Sequence, residues 1–381
     1  MSKFLLIPDS FKGTMSSEEI CAIMGKAIRN HDSDADIISI PVADGGEGSV
    51  DAFLKAMEGI KVTHTVKGPY FEDMEAFYGI VDQGNTAVIE MAACAGLPLV
   101  EGNPDPSKTT TYGVGQLVLD AIGRGCHKII MGLGGSCTND AGTGAAAALG
   151  MIFRDKEANA FIPVGGTLKD IAHIDASNML PELKGVEFVT MCDIDNPFFG
   201  ENGAAYIFGP QKGATPEMVK ELDAGLKHLA DRIQADLHMD VSQRKGAGAA
   251  GGMGGGMVAF FGSSLQMGIE TVLDTVRFDE LLKDTDYVLS GEGKIDTQSI
   301  RGKVVIGIAN RTKKANVPLI AIVGDIGDDI EAAYEKGVTG IFSINRVAVD
   351  FEEAKKRAKQ DLYLTVDNLM RFLNKVKTEN K

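Results

Sequence analysis

The chain has 381 residues, more than one hydrophobic core usually serves, so two domains are expected. Its formal net charge of -15 argues against nucleic acid or an anionic membrane as the main partner, and no eighteen-residue apolar stretch is free of polar interruption or helix breakers. Five scattered cysteines without a CxxC and six scattered histidines without ligand spacing exclude a disulfide framework and a structural zinc site, and fit a reduced, cytoplasmic setting.

Taken in order, the chain opens on MSKFLLIPDS, which reads as a first strand over 4–7 and not as a signal peptide, because Asp9 comes too soon. Ser16 then stands three residues before Glu19, the spacing of a capping box. A helix to about residue 30 follows, with Ile20, Met24, Ala27 and Ile28 on its inner side. A second strand over 37–40 ends in the loop PVADGGEGS, and another helix passes through Leu54 and Met57. Strands over 62–66, 75–81 and 86–91 are joined by short loops, so a second domain with a mixed sheet is expected from residue 68. A helix over 112–122 and an apolar strand over 127–131 lead to Gly132, Gly134 and Gly135. Ser136, Thr138, Asn139 and Asp140 follow, each able to cap the Ala-rich helix beyond. This order of strand, glycine turn, polar cap and helix is a plausible seat for phosphate or carboxylate.

Further on come a strand over 187–192, an amphipathic helix over 215–233 and a Gly-rich apolar stretch over 248–261 that suits a closely packed helix. Strand–helix alternation returns from Tyr287, and the last helix carries Leu362, Val366, Leu369, Leu373 and Val376 as a stripe. The expected fold is α/β with two domains. Both chain ends, 1–67 and 284–381, form a Rossmann/flavodoxin-like parallel-sheet domain. Residues 68–283 are inserted as a second α/β domain with a mixed sheet. The active site is expected in the cleft, at strand C-termini.

The common nucleotide fingerprints do not carry the function. There is no Walker A sequence, and the GAGAAG at 246–251 follows polar residues instead of a strand, so it reads as a tight, backbone-accessible loop. The stronger signal is repetition of acids, amides and lysines beside glycine at strand ends. These sets are Asp9, Ser10 and Lys12; Asp44 and Glu47; Ser136, Thr138, Asn139 and Asp140; Asp193, Asp195 and Asn196; Gln211 and Lys212; Glu292, Lys294 and Asp296. Carboxylates that can hold Mg²⁺ or accept a hydroxyl proton, beside lysines that neutralise phosphoryl charge, suit a Mg²⁺–phosphate centre. Any one of them could instead be a cap or turn residue. Cys137 could be a nucleophile, but a small packed side chain in the turn is the simpler reading.

The motifs PDSFKG (8–13), PVADGGEGS (41–49), GLGGSCTNDAG (132–142), CDIDNPFFG (192–200), FGPQKGA (208–214), GAGAAGG (246–252) and SGEGKIDTQSIRGK (290–303) resemble the glycerate kinase family over essentially the whole chain. The resemblance implies ATP-dependent phosphorylation of D-glycerate to 2-phosphoglycerate, in the breakdown of glucarate, galactarate or glyoxylate. It also implies two α/β domains, one inserted in the other. Cys137 stands where the family commonly has a small residue such as alanine.

On this reading Asp296 or Asp193 accepts the proton while the other aids Mg²⁺, so both are metal candidates. Lys12 and Lys294 neutralise phosphate or carboxylate oxygens. Asp9, Ser10, Asn139, Asp44 and Glu47 are expected at the substrate. Gly134, Gly135, Ser136, Thr138, Lys212 and Glu292 are expected at ATP. The protein is expected to act as a monomer or homodimer on a small hydroxy acid. A kinase for another hydroxy acid, or one giving 3-phosphoglycerate, would share the machinery. An NAD-linked oxidoreductase lacks an early GxGxxG, and a non-catalytic binding protein would not need this density of carboxylates beside lysines.

Overall fold

Strands whose residues are apolar without alternation must be covered on both faces, and the strands from the chain ends show this. Phe4, Leu5, Leu6 and Ile7 are at most 1% exposed, and all five residues of Leu319–Val323 are buried. The computed structural model describes residues 2–42, 48–297, 299 and 303–379. It divides into two compact units, Met1–Asp44 with Ile269–Lys381, and Gly45–Gly268.

In chain order the strands are β1 (Lys3–Leu6), β2 (Asp36–Ser39), β3 (Ile60–Lys67), β4 (Asp73–Val81), β5 (Thr86–Glu90), β6 (Lys128–Gly132), β7 (Ile152–Arg154), β8 (Ala160–Phe161), β9 (His173–Asp175), β10 (Glu187–Met191), β11 (Ser264–Gln266), β12 (Tyr287–Ser290), β13 (Lys294–Ile295), β14 (Leu319–Val323), β15 (Asp325–Ile326) and β16 (Val338–Ser343). The unit of the chain ends holds a five-stranded sheet in the order β16-β14-β12-β1-β2, with every neighbour parallel. Numbered within that unit the order is 2-1-3-4-5, the flavodoxin-like arrangement. Its order reverses between β1 and β12, so the loops leaving those two strands flank the crevice where such sheets bind ligands.

The helix Ser17–Arg29 packs against one face of this sheet. Its start is a complete capping box: the Glu19 N–H donates to Ser16 Oγ and the Ser16 N–H to the Glu19 carboxylate, both at 3.1 Å. The long helix Phe351–Glu379 shares its core. Leu362 and Val366 are fully buried with Phe4, Leu6 and Met24, but Val376 is exposed, so the predicted apolar stripe runs out before the helix does.

The other unit has a six-stranded sheet, β11-β10-β6-β5-β4-β3. The neighbours from β11 through β5 are parallel, and the β5/β4 and β4/β3 pairs are antiparallel. A small antiparallel sheet, β8-β7-β9, lies beside it in sequence. The unit boundaries differ from those read in the sequence, 67/68 and 283/284. The strand β3 looks like a continuation of the first βα units, but all eight of its residues pair with β4. At the other end, Arg311 of the helix Val304–Ala315 bonds Glu270 (2.6 Å), Asp274 (2.6 Å) and Asp279 (2.8 Å), which ties 270–279 to the unit of the chain ends.

Two further expectations need correction. The helix predicted over 248–261 is Met253–Phe261, and the glycines before it form a loop. The Ala-rich helix after the central turn begins only at Thr143. Its N-cap is Gly142 at φ +78°, and not Ser136, Thr138, Asn139 or Asp140.

Candidate active site

In the unit of the chain ends, the loop after β1 and the loop after β12 are joined by backbone. The Asp9 N–H donates to the Gly291 carbonyl at 2.8 Å, and Ser290 Oγ donates to the Ile7 carbonyl at 2.9 Å. Gly291 is obligatory: a Cβ there would lie 2.0 Å from the Ile322 carbonyl oxygen. The chain then passes between two neighbours. The Gly324 and Asp325 N–H groups donate to the carbonyls of Glu292 (3.1 Å) and Gly293 (3.0 Å), and the backbone of Phe11 and Lys12 lies against the other side of Gly293. Asp9, Ser10, Lys12, Glu292, Lys294 and Asp296 are thus carried by two adjoining loops at the crevice of the sheet.

Their states differ. Glu292 is 6% exposed and its Oε1 has no hydrogen-bond partner. Burial pushes its carboxyl up to about 7; a Ser299 hydrogen bond and Lys303 oppose this, while Asp9 and Asp296 add to it. Asp296 is half-buried and held in a reciprocal pair, its N–H donating to Ser299 Oγ and its Oδ1 accepting from the Ser299 N–H, both at 3.3 Å. Lys294 is exposed, with its ammonium 3.6 Å from Asp325. Lys12 is exposed, and the Ser10 N–H donates to Asp9 Oδ1 at 2.6 Å.

In the other unit, the parallel strands β5, β6, β10 and β11 bring their C-terminal ends to one edge. From β6 the chain runs through Gly134 and Gly135 (φ +74°) into the buried residues 136–140. Two bonds fix this turn, Leu97 N–H to the Gly135 carbonyl (2.8 Å) and Cys137 N–H to the Ala95 carbonyl (2.9 Å). Among the described residues, the N–H groups of Gly134, Gly135, Ser136, Thr138 and Asn139 find no acceptor, so they remain able to donate to an anion.

Asn139 is fully buried, and neither its Oδ1 nor its Nδ2 has a partner; the buried Thr138 Oγ1 is likewise unpartnered. Lys212, 2% exposed, donates from Nζ to Ser136 Oγ (2.8 Å) and the Thr138 carbonyl (2.6 Å), and burial lowers its ammonium to about 8. Asp140 has a structural task. Its carboxylate accepts from Thr111 N–H and Oγ1 (2.8 Å each), Gly142 N–H (3.2 Å) and Gly144 N–H (3.3 Å), pinning the starts of two helices.

The loop after β10 carries Asp193, exposed, whose Oδ1 accepts the Gly268 N–H at 2.7 Å just beyond β11. The glycine block lies between this loop and the central turn. A Cβ on Gly246 would meet Cys192 Sγ at 2.7 Å, one on Gly248 the Pro197 carbonyl at 2.2 Å, and one on Gly251 the Thr138 carbonyl at 2.1 Å. Gly248 and Gly251 serve close backbone packing, and Gly246 makes room for the Cys192 side chain. Cys137 is 1% exposed and burial pushes its thiol up to about 12, which leaves no reactive thiolate. Asp44 and Glu47 lie outside the described residues.

Sequence reasoning missed two groups here. Glu90, at the end of β5, is 4% exposed and accepts the Val50 N–H at 2.6 Å. Thr109, Thr110 and Thr111 are all buried, with Thr109 Oγ1 donating to the Cys137 carbonyl at 3.0 Å. An acid closing an apolar strand and three hydroxyls before a helix were the available signals.

The residues present fit a nucleotide and Mg²⁺. Unpartnered buried polar atoms, lysines and donor N–H groups lie at strand ends. Among the described residues no group of three or more His, Cys, Asp or Glu is placed to hold a metal. Mg²⁺ commonly takes only one or two protein carboxylates together with substrate phosphates, and Asp193 or Asp296 can each serve so.

The chain matches the model of the glycerate kinase family over residues 4–374. It is 43% identical to "Glycerate 2-kinase" of Escherichia coli (strain K12), covering 94% of this chain and 95% of that one. It is 42% identical to "Glycerate kinase" of Bacillus cereus, covering 96% and 97%. A solved structure from Salmonella typhimurium LT2, described as a glycerate kinase 2, is 40% identical, superposes with a TM-score of 0.88 and covers 99% of each chain.

Proposed function

We propose, since the chain belongs to the glycerate kinase family, that it transfers the γ-phosphoryl group of ATP to D-glycerate, giving 2-phosphoglycerate and ADP. The observation that carries this reading is the match over nearly the whole length to proteins named glycerate kinase, one of them a glycerate 2-kinase. Asp296 or Asp193 accepts the proton of the attacking hydroxyl. Lys12 and Lys294 offset negative charge on the reactants, and Ser10, Asp9 and Asn139 orient the substrate. Asp44 and Glu47 belong to the same proposed set. The turn from Gly134 to Asn139, with Ser136, Thr138 and Lys212, and the carboxyl of Glu292 serve the nucleotide. Mg²⁺, held by whichever of Asp193 and Asp296 is not the base, would supply charge neutralisation at the phosphate oxygens.

We place the reaction in the cytoplasm, in glucarate and galactarate breakdown, with the protein a monomer or homodimer. Among the described residues no helix is long and apolar enough to cross a membrane. Incubation with Mg–ATP and D-glycerate, followed by ADP release and ³¹P NMR, tests the reading. The expected product is 2-phosphoglycerate. The 3-phospho isomer would overturn the product, and no ADP above an enzyme-free control would overturn the activity.

A further inference from the structure

A buried ammonium is costly unless a carboxylate or several hydrogen bonds compensate it. Among the described residues Lys212 has two hydrogen bonds, both to neutral oxygens, and makes no ion pair. The acid within its own turn, Asp140, spends its carboxylate on four other donors. Among the described residues, one N–H of the ammonium is therefore left to donate. The residues that receive the other two lead directly into the unpartnered Thr138 Oγ1 and the unpartnered amide of Asn139, both fully buried. The wall opposite is backbone: Gly251 packs on Thr138 and Asn139 with no room for a Cβ. A buried hydroxyl and a buried amide with unused capacity thus stand on successive residues of the turn, beside the carbonyl that Lys212 binds.

We propose that Lys212, Thr138 and Asn139 form an enclosed anion subsite that takes a carboxylate or phosphate oxygen of the reactants, with Lys212 supplying the charge and Asn139 the second donor. The proposal rests on the kinase reading and assigns within it the group that fixes the anionic end of a reactant. A carboxylate would come from glycerate and a phosphate from the nucleotide. Both present the same pair of oxygens to an ammonium and an amide.

Isothermal titration of D-glycerate, inorganic phosphate and Mg–ATP into the unmodified protein, Lys212→Met and Asn139→Asp tests this. Met keeps the length of the buried side chain without its charge, and Asp replaces the amide donor with a negative group that repels the anion. The expected result is a loss of about tenfold or more in affinity for one class of probe. Loss confined to D-glycerate identifies the carboxylate, and loss confined to phosphate and Mg–ATP identifies the phosphate. If both variants fold and bind all three probes within about twofold of the unmodified protein, the subsite is overturned and Lys212 only holds the turn. If Lys212→Met does not fold, Asn139→Asp decides alone by the same criterion. The ³¹P NMR assay on the unmodified protein is independent. Phosphoglycerate formed by a protein whose variants bind normally would sink the subsite and keep the kinase. Binding lost in the variants of a protein that forms no phosphoglycerate would do the reverse.

Discussion

Asp296 is half-buried and its carboxylate already accepts one N–H, so its geometry is set before any reactant arrives. Asp296→Asn keeps those contacts and removes the proton acceptor. Turnover is expected to collapse while thermal unfolding is unchanged, and steady-state rates within about tenfold of the unmodified protein would remove Asp296 as the base. Lys12→Ala is expected to cost about tenfold in kcat/KM, and unchanged kinetics would take Lys12 out of the site. Glu292 gives a pH signature of its own. Its folded pKa of about 7 lies above its ordinary value of 4.5, so its protonated form is the one that suits the fold. That contribution is fully present below about pH 4.5 and is lost as pH rises through about 7. Glu292→Gln is therefore expected to flatten the fall in Tm across this window and to raise Tm above it; a variant with the unaltered profile would refute the assignment.

Among the elements, the glycine block shows how one stretch can be misread from its letters. GAGAAG has the spacing of a dinucleotide loop, yet its glycines make room for close neighbours: the Cys192 thiol and the backbones of Pro197 and Thr138 sit where side chains would be. Gly251 also has φ +67°, so Gly251→Ala meets both a clash and a strained backbone. A loss of about 2 kcal/mol or more is expected in denaturant unfolding, and a stability within about 0.5 kcal/mol would mean the central turn can shift. The helix Ser17–Arg29 offers the opposite lesson, because its capping box was legible from two residues three apart. Ser16→Ala is expected to cost about 1 kcal/mol, read from the same midpoint shift. The helix after Gly142 was not legible in this way. Four capping residues stood before it, but Asp140 was drawn to Thr111, twenty-nine residues back in the chain.

At the scale of the molecule, the α/β class, the alternation of strands and helices at both chain ends and the family motifs depend on local pattern, and the sequence determined them by itself. Apolar runs without alternation pointed to strands covered on both faces, and glycine beside acids and lysines pointed to loops at strand ends. The membership of β3, the attachment of 270–279 through Arg311 and the obligatory glycines at 246, 248, 251 and 291 were decided by tertiary structure. So were the charge states of Glu292 and Lys212. The physical reason is the same in each case. Strand partners, backbone clearance and desolvation are set by groups distant in the chain, and a residue's own neighbours in sequence do not carry them.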